Sequence, residues 1–384
     1  MPDARPKTGD EESHMNMRLP EAKPAEVGLD ITRLDAARDT LAKGLDAKEY
    51  TCAVYLVGRH GKIAAYGAMG RLGGEESDPS AKIDTMFDMA SVTKPVATGT
   101  SLMALVDRGA LHLNQPVTDF FPGRDLPHLA GISVKHLVTH TSGLPAWKAL
   151  YTNGGTREGS IEELLQKTPL ENPVGAKYVY SCLGYIMLGL AIEQASGMPL
   201  EKFASETIYK PLGMKDSGFN PPKSKLNRIA KTAHSQFREG VLIGQVHDEN
   251  ACSLRGNSGN AGLFSTAPDI AVFAQMILNG GEFGGVRVLS PLAVKRMTAN
   301  QINSSIGGQS FGLFAWPNDM VPMGDLFSNA SVGHTGFTGT SLLIDPENDV
   351  FLILLTNRVH QSRDGAAFMR RRRWFHNIVA SAVR

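Results

Sequence analysis

Cysteine is scarce in this chain of 384 residues, which contains three of them, Cys52, Cys182 and Cys252. Their odd number and wide spacing leave no readable disulfide framework and no paired C-x-x-C zinc motif, so we expect reduced thiols. An excess of one charge is also absent, because 39 basic and 38 acidic residues give a net charge of +1. This balance offers no support for a nucleic-acid partner or a charged membrane surface.

Long apolar runs are missing as well, since none approaches the roughly 18 apolar residues that a membrane-spanning helix needs. Residues 1–22 lack the apolar core of a signal peptide and are interpreted as a disordered leader. These absences favour a cytoplasmic protein without a membrane span. They carry no information on its oligomeric state.

The exception to the balanced charge is a run of four arginines at residues 370–373. We interpret this run as the solvated basic face of a C-terminal helix. A phosphate or lipid contact is the alternative interpretation.

Apolar residues make up 42% of the chain, enough for a substantial core. Their helical spacing predicts a helix over 30–45. Strand-forming residues around a glycine turn predict a β-hairpin over 51–66, and a second hairpin is predicted over 340–355. The last strand of that second hairpin is apolar throughout, so both of its faces should be covered.

Helical patterns dominate between the two hairpins. The predicted helices cover residues 96–108, 161–166, 183–195, 199–207, 268–279 and 291–299. Several end at glycine, as left-handed C-caps tend to. We therefore predict a sheet domain formed by 23–90 and 300–384, with an inserted, mainly helical domain at 91–299. A site is expected in the cleft between them.

One Ser-x-x-Lys occurs in the chain, at Ser91 and Lys94. Pro95 is tolerated in a first helical turn and an apolar-periodic helix follows, so Ser91 lies where a helix should begin. Residues three apart share a helix face, which lets Lys94 place its amine beside the Ser91 hydroxyl and activate it. That lysine can accept a proton only if burial, nearby positive charge or the helix dipole keeps it neutral. Taken alone, the tetrapeptide favours a serine helix cap followed by a lysine that points to solvent.

Two further segments, 178–189 and 333–345, add to this pair. The first has Tyr180 in a polar turn before a helix, and the second opens a strand with small residues that let a substrate approach the backbone. With Ser91 and Lys94, they resemble the serine β-lactamase and penicillin-binding protein superfamily. The resemblance is to its class C β-lactamase, DD-peptidase and family VIII carboxylesterase branch. Segments 111–122, 132–145 and 259–266 are similar to the same branch.

The resemblance implies an α/β (α+β), β-lactamase/transpeptidase-like fold, with an antiparallel sheet flanked by helices. It also implies that Ser91 is acylated and that Lys94 and Tyr180 together move its proton. The backbone N–H groups of Ser91 and Phe337 would form the oxyanion hole, where loss of one donor costs about 100- to 1000-fold in rate. No cofactor or metal is expected.

Two positions depart from the family's pattern. Cys182 stands where many relatives have the asparagine of Tyr-x-Asn, whose amide binds the substrate's side-chain amide. We interpret the thiol as a small apolar filler beside the site. His334 stands where β-lactamases have the lysine of Lys-Thr-Gly, so it would offer a substrate carboxylate a weaker, pH-dependent charge. Cys182, His334, Thr335 and Gly336 are the predicted substrate contacts.

These departures favour esters over β-lactams, and we expect a carboxylesterase that acts on small acyl esters. The partner would be a small-molecule ester or amide. A β-lactamase or a DD-peptidase or D-aminopeptidase type of amidohydrolase is one alternative. A non-catalytic penicillin-binding protein, which is acylated without turnover, is another.

Two other patterns are interpreted as structural. Residues 308–312 satisfy G-x-S-x-G, but no buried strand precedes them and no helix follows, so Ser310 is not expected to be a nucleophile. His136 and His140 are four residues apart, as a metal pair on a helix would be, but no third ligand is adjacent.

Overall fold

The computed structural model describes residues 18–234, 238, 240–302, 306, 314–315 and 324–384. The described strands are β1 (Cys52–Arg59), β2 (Lys62–Gly70), β3 (Phe87–Asp88), β4 (Gly218–Phe219), β5 (Leu263–Ser265), β6 (Glu282–Phe283), β7 (Val286–Arg287), β8 (Phe314–Ala315), β9 (Val332–Thr335), β10 (Ser341–Asp345) and β11 (Val350–Thr356). The described α-helices are α1 (Ile31–Asp46), α2 (Thr100–Asp107), α3 (Val134–Val138), α4 (Arg157–Lys167), α5 (Cys182–Ser196), α6 (Leu200–Ala204), α7 (Glu249–Ser253), α8 (Ala267–Leu278), α9 (Pro291–Thr298) and α10 (Ala366–Ala380).

A six-stranded antiparallel sheet forms the centre of the molecule, in the order β2-β1-β11-β10-β9-β8. His60 and Gly61 connect β1 to β2 with φ angles of +53° and +73°, as a tight two-residue hairpin turn requires. The hairpins predicted over 51–66 and 340–355 are both confirmed. A separate three-stranded sheet, β3-β5-β4, leads into the segment that contains Ser91.

The apolar strand β11 is buried along its whole length because both faces of the sheet are covered. Phe351, Ile353 and Leu355 belong to the core on one side, where α8 packs against the sheet. The alternate residues belong to a second core beneath α1 and α10. Each fully buried side chain of this size contributes about 1.5–3 kcal/mol to stability. Two covered faces explain why β11 shows no polar alternation.

The six predicted helices between the hairpins are confirmed, with differences at their ends. The helix predicted over 96–108 starts earlier, with a π-helical turn, Lys94–Gly99, that continues into α2. Helix α5 ends at Gly197, which adopts the left-handed conformation of a C-cap (φ +68°). The short helices α3 and α7 were not predicted, because five residues are too few to show helical periodicity.

The prediction of a disordered leader is wrong for residues 18–22. The Ile63 N–H donates to the Pro20 carbonyl (2.8 Å), the Ala22 N–H donates to the Ile63 carbonyl (2.9 Å), and Leu19 is buried in the core. Ile63 lies on β2, which is the outermost strand on its side of the sheet among the described residues. The segment therefore satisfies backbone groups that would otherwise lack partners.

The domain boundaries at residues 91 and 300 stay a prediction. Helix α8 lies within 91–299, yet it packs directly against β1, β10 and β11. One apolar core therefore joins the helical part to the sheet. Within the described ranges, no helix is long and apolar enough to cross a membrane.

The arginine run at 370–373 lies on α10, but its interpretation as one solvated basic face is wrong. Arg371 donates two hydrogen bonds to the Glu49 carboxylate (2.7 and 2.8 Å), because α1 packs against α10. Arg372 is buried, and this burial lowers its pKa to about 10. Arg373 pairs with Asp325. Much of the charge in this run therefore serves the packing of the helix.

Candidate active site

Ser91 lies in a 3-10 turn, Ala90–Val92, between β3 and the π-helical turn. Ala90, directly before it, has a left-handed φ of +46°. A residue with a Cβ adopts this conformation at a cost of roughly 1–2 kcal/mol, so surrounding contacts must hold it there. Ser91 itself is half-buried and remains accessible to a ligand.

Lys94 is fully buried beside Ser91. Its Nζ lies 3.0 Å from Ser91 Oγ, 3.0 Å from the Asn260 carbonyl oxygen and 3.7 Å from Cys182 Sγ. The prediction that Lys94 reaches the Ser91 hydroxyl is confirmed, and a solvent-exposed lysine is excluded because its relative exposure is 0%.

Tyr180 completes this cluster. Its phenol is hydrogen-bonded to the side chains of both Lys94 and Ser91, and the Lys94 Nζ lies 5.0 Å from the centre of its ring. Ser181, the N-cap of α5, fixes the chain at this point, since its hydroxyl donates to the Pro145 carbonyl (2.6 Å). Ser91, Lys94 and Tyr180 thus meet although Tyr180 lies far along the sequence from the other two.

His140 supports Tyr180 and was not predicted to do so. Its ring lies 4.7 Å from the Tyr180 ring and 5.0 Å from the Tyr185 ring, and its Nδ1 accepts the Ser181 N–H (3.0 Å). Burial, with the charge of Lys94 as a second cause, holds the pKa of His140 well below its usual value. A neutral ring therefore packs behind the phenol.

His140 does not form a helical pair with His136. His136 belongs to α3, where its Nδ1 accepts the Ser133 N–H (3.1 Å) in a capping box, whereas His140 follows the helix with a φ of +58°. Among the described residues, no group of three or more His, Cys, Asp or Glu side chains could hold a metal ion. Ser310 and the G-x-S-x-G pattern lie outside the described residues.

The protonation of Lys94 is coupled to that of its neighbours. Burial acts to lower the pKa of Lys94, but the anionic forms of Cys182 and Tyr180 outweigh it, so the pKa is raised. Burial raises the pKa of Tyr180, and the Lys94 ammonium opposes that rise. Loss of the phenol proton and retention of the ammonium therefore favour each other. Lys94 and Tyr180 titrate as one coupled pair.

The turn after β9 carries Phe337 and is fastened to the segment before Ser91. The Thr338 hydroxyl donates to the Asp88 carbonyl (2.8 Å), and the Thr340 hydroxyl donates to the Met89 carbonyl (3.0 Å). A Cβ on Gly336 would lie 2.6 Å from the Met89 carbonyl oxygen, so only glycine permits this approach. Phe337 is thereby held close to Ser91.

The backbone N–H groups of Ser91 and Phe337 are available to a ligand. Within the described part of the chain, neither donates a hydrogen bond to a protein acceptor. The Ser91 N–H lies in the first turn of a helical segment, where such groups have no intrahelical partner. Both amides therefore meet one requirement of an oxyanion hole, which is a donor without a protein acceptor.

His334 is not the source of charge that the sequence suggested. It is buried at the end of β9, and its Nδ1–H donates to the Thr335 carbonyl (2.6 Å). Burial, followed by the charge of Lys94, holds its pKa well below the usual value. Burial therefore disfavours the imidazolium form, and the charge expected at His334 would need a pH well below the usual range of histidine.

Positive charge instead lies around Phe337, in two arginines that sequence reasoning missed. The Phe337 ring is 45% exposed, and the guanidinium groups of Arg358 and Arg363 lie 4.7 and 5.6 Å from its centre. The His247 ring also lies 5.7 Å from the Phe337 ring. The Cys182 N–H donates to the Ala146 carbonyl (2.9 Å), which places the segment that contains Ala146 next to Cys182. The residue that follows, Trp147, is an exposed aromatic side chain.

Comparison with known proteins identifies the family of the chain. The family model described as Beta-lactamase matches residues 37–373. A protein of Escherichia coli (strain K12) named "Putative D-alanyl-D-alanine carboxypeptidase" is 34% identical over 381 residues, which cover 89% of this chain and 86% of that protein.

Two solved structures share the fold. "EstCE1, a hydrolase with promiscuous acyltransferase activity" superimposes with a TM-score of 0.73 at 21% identity, covering 92% of this chain and 98% of the other. A penicillin-binding protein homologue from Caulobacter crescentus gives 0.71 at 18% identity, covering 91% and 97%.

The chain therefore belongs to the Beta-lactamase family, within the serine β-lactamase and penicillin-binding protein superfamily. Its fold is β-lactamase/transpeptidase-like, as the sequence motifs predicted.

Proposed function

We propose that this member of the Beta-lactamase family hydrolyses small carboxylic esters through an acyl-enzyme on Ser91. The observation that carries the proposal is the buried contact of 3.0 Å between Lys94 Nζ and Ser91 Oγ, with the Tyr180 phenol bonded to both groups. The Lys94 ammonium favours the phenolate form of Tyr180, and a phenolate next to a half-buried serine hydroxyl is the proton acceptor that nucleophilic catalysis needs.

In acylation, Ser91 Oγ attacks the ester carbonyl carbon and its proton passes to the Lys94–Tyr180 pair. The carbonyl oxygen becomes an oxyanion and accepts hydrogen bonds from the Ser91 and Phe337 amides. Collapse of this intermediate breaks the bond to the alcohol, which leaves with the proton from the pair. Deacylation repeats these steps, with water as the nucleophile and the carboxylic acid as the product.

The preference for esters rests on Cys182 and His334. A thiol is a poor partner for the side-chain amide of a β-lactam or peptide, and a neutral, buried imidazole gives little attraction to a carboxylate. A small ester has neither a side-chain amide nor a carboxylate, so its binding does not depend on partners for these groups.

An amidohydrolase of the DD-carboxypeptidase type is the second candidate, and a specific observation favours it. Arg358 and Arg363 flank Phe337 and could attract a substrate carboxylate in place of His334. The name of the 34% identical relative points the same way. The third alternative, acylation without turnover, is disfavoured because Lys94 and Tyr180 retain the contacts that a base requires.

Steady-state hydrolysis separates the first two candidates. We expect kcat/KM for p-nitrophenyl butyrate to exceed that for a chromogenic cephalosporin and for a peptide ending in D-Ala-D-Ala by at least about 100-fold, since unpaired polar groups cause discrimination of this size. Faster turnover of the peptide would replace esterase with carboxypeptidase. Stoichiometric acylation by all three, without turnover, would support the non-catalytic alternative.

The Cys182→Asn variant tests whether the thiol sets this preference. Restoring an amide is expected to raise kcat/KM for the cephalosporin by about 10-fold, the value of one added hydrogen bond. Cys182→Ser is the matched control, because it keeps the size of the side chain without an amide. If the two variants behave alike, the identity of residue 182 does not govern the choice between esters and β-lactams.

A further inference from the structure

Asp88, at the end of β3, takes no part in the proposed steps of ester hydrolysis, yet it has an unusual set of hydrogen-bond partners. Its side chain is 3% exposed. Oδ1 accepts the Ala90 N–H (2.8 Å), and Oδ2 accepts the His247 N–H (2.7 Å). A buried carboxylate is costly unless it is well paired, so these two bonds account for its presence here.

The same residue also holds the Phe337 turn. Its backbone carbonyl accepts the Thr338 hydroxyl (2.8 Å), and the His247 ring, on the segment held by Oδ2, stacks against the Phe337 ring. Asp88 thus connects three segments: the turn that contains Ser91, the loop that contains His247, and the turn that contains Phe337. Two of the three carry an amide of the oxyanion hole.

The bond to Ala90 bears directly on Ser91. Ala90 has a left-handed φ of +46°, and the peptide that follows it supplies the Ser91 N–H. Relaxation of Ala90 to an ordinary φ would rotate that peptide and turn the Ser91 amide away from the Phe337 amide. The Asp88 Oδ1 bond to the Ala90 N–H opposes this relaxation.

We propose that Asp88 is a positioning residue for the oxyanion hole, which holds the amides of Ser91 and Phe337 in convergent directions. The inference rests on the proposed acyl-enzyme at Ser91 and adds a residue to it. Asp88 touches neither substrate nor Ser91 Oγ, so its effect is on the stabilisation of the oxyanion and hence on kcat.

The carboxylate form is the one that can accept both bonds. Burial raises the pKa of Asp88 to about 6, against the hydrogen bonds from His247 and Ala90. Asp248 acts in the same direction as burial, and Arg238 opposes it. The turn that contains Thr338 presents no ionisable side chain, and His247 is a neutral ring whose pKa burial lowers. Below about pH 6 the acid would present an O–H donor to an N–H donor, and one bond would be lost.

The test is ester hydrolysis by the Asp88→Asn variant, which keeps the shape and removes one acceptor. We expect kcat to fall by about 10- to 100-fold with KM changed less than about threefold, since oxyanion donors act mainly on the transition state. Wild-type kcat should decline as the pH drops through about 6, because Asp88 takes up a proton, and the variant should lack that acid limb.

Asp269→Asn is the matched control. Asp269, in the first turn of α8, is another carboxylate whose pKa burial raises to about 6. Its Oδ2 accepts the Asp216 N–H (2.8 Å). This variant should lose stability without a change in kcat or in the acid limb. An Asp88→Asn enzyme with wild-type kcat and an unchanged acid limb would overturn the proposal, as would equal losses of kcat in both variants.

Thr338→Val provides a second measurement if Asp88→Asn does not fold. It removes only the hydroxyl that bonds the Asp88 carbonyl, and we expect kcat to fall by about 3- to 10-fold at unchanged KM, as the loss of one hydrogen bond predicts. An unchanged kcat here would also overturn the inference. Activity that survives Ser91→Ala would instead contradict the proposed function, so the two failures are distinguishable.

Discussion

Replacing Ser91 with alanine is expected to lower kcat for p-nitrophenyl butyrate by about 10⁴- to 10⁶-fold, the cost of removing a nucleophile in other serine hydrolases. The reason is that the Ser91 hydroxyl is the group that the Lys94 Nζ contacts at 3.0 Å and that the Tyr180 phenol also contacts. The change leaves a small side chain in a half-buried position, so the melting temperature should stay close to that of the wild type.

Ser310→Ala is the control for this experiment, since Ser310 is the central residue of the G-x-S-x-G pattern and is predicted to be structural. Most of the activity should remain. Labelling with a fluorophosphonate, followed by peptide mass analysis, should place the adduct on Ser91. Loss of activity in Ser310→Ala together with an active Ser91→Ala variant would reverse the assignment of the nucleophile.

The second large effect is expected from the pair that moves the serine proton. Lys94→Ala and Tyr180→Phe should each lower kcat by about 10²- to 10⁴-fold, and the double variant should be little worse than the poorer single variant. The losses should not add because the two groups titrate together: without one of them, the other no longer has a partner that stabilises its charged form. Steady-state kinetics of the three variants form the cycle that measures this coupling.

Tyr185→Phe offers a matched control for Tyr180→Phe. Tyr185 also packs on His140, and its ring centre lies 5.6 Å from the Lys94 Nζ, but its hydroxyl donates to the Val138 carbonyl (3.2 Å). Its loss should cost about 1 kcal/mol of stability and leave kcat within a fewfold of wild type. Equal damage from the two tyrosine variants, or losses that multiply in the double variant, would argue against a shared proton acceptor.

The parts of the site that the sequence predicted are those governed by local geometry. Ser91 and Lys94 meet because a helix brings residues three apart onto one face, and Pro95 indicated where that helix begins. The two hairpins were predictable for the same reason, since turn and strand signals lie next to each other. Tyr180 was assigned through the resemblance, because no spacing rule connects it to Ser91.

The remaining parts depend on contacts across the chain or on burial, which a sequence does not display. Asp88 and His247 are separated by 159 positions, so no local sequence pattern predicts the hydrogen bond between them. His334 was expected to offer a pH-dependent charge, but its burial in the sheet lowers its pKa and disfavours that charge. The arginine run was misjudged for the same reason, since Arg372 lies inside the packing of α10.

The pairing of residues 18–22 with Ile63 has a consequence for how the protein behaves at high concentration. An uncovered outer strand is a template for strands of other molecules, and proteins avoid self-association by blunting it. Here a short stretch that contains Pro20 does so, because proline has no N–H to offer a further strand. Truncations intended to shorten the chain should therefore stop before Arg18. Removal of residues 18–22 would expose the edge of β2 at Ile63 and favour aggregation.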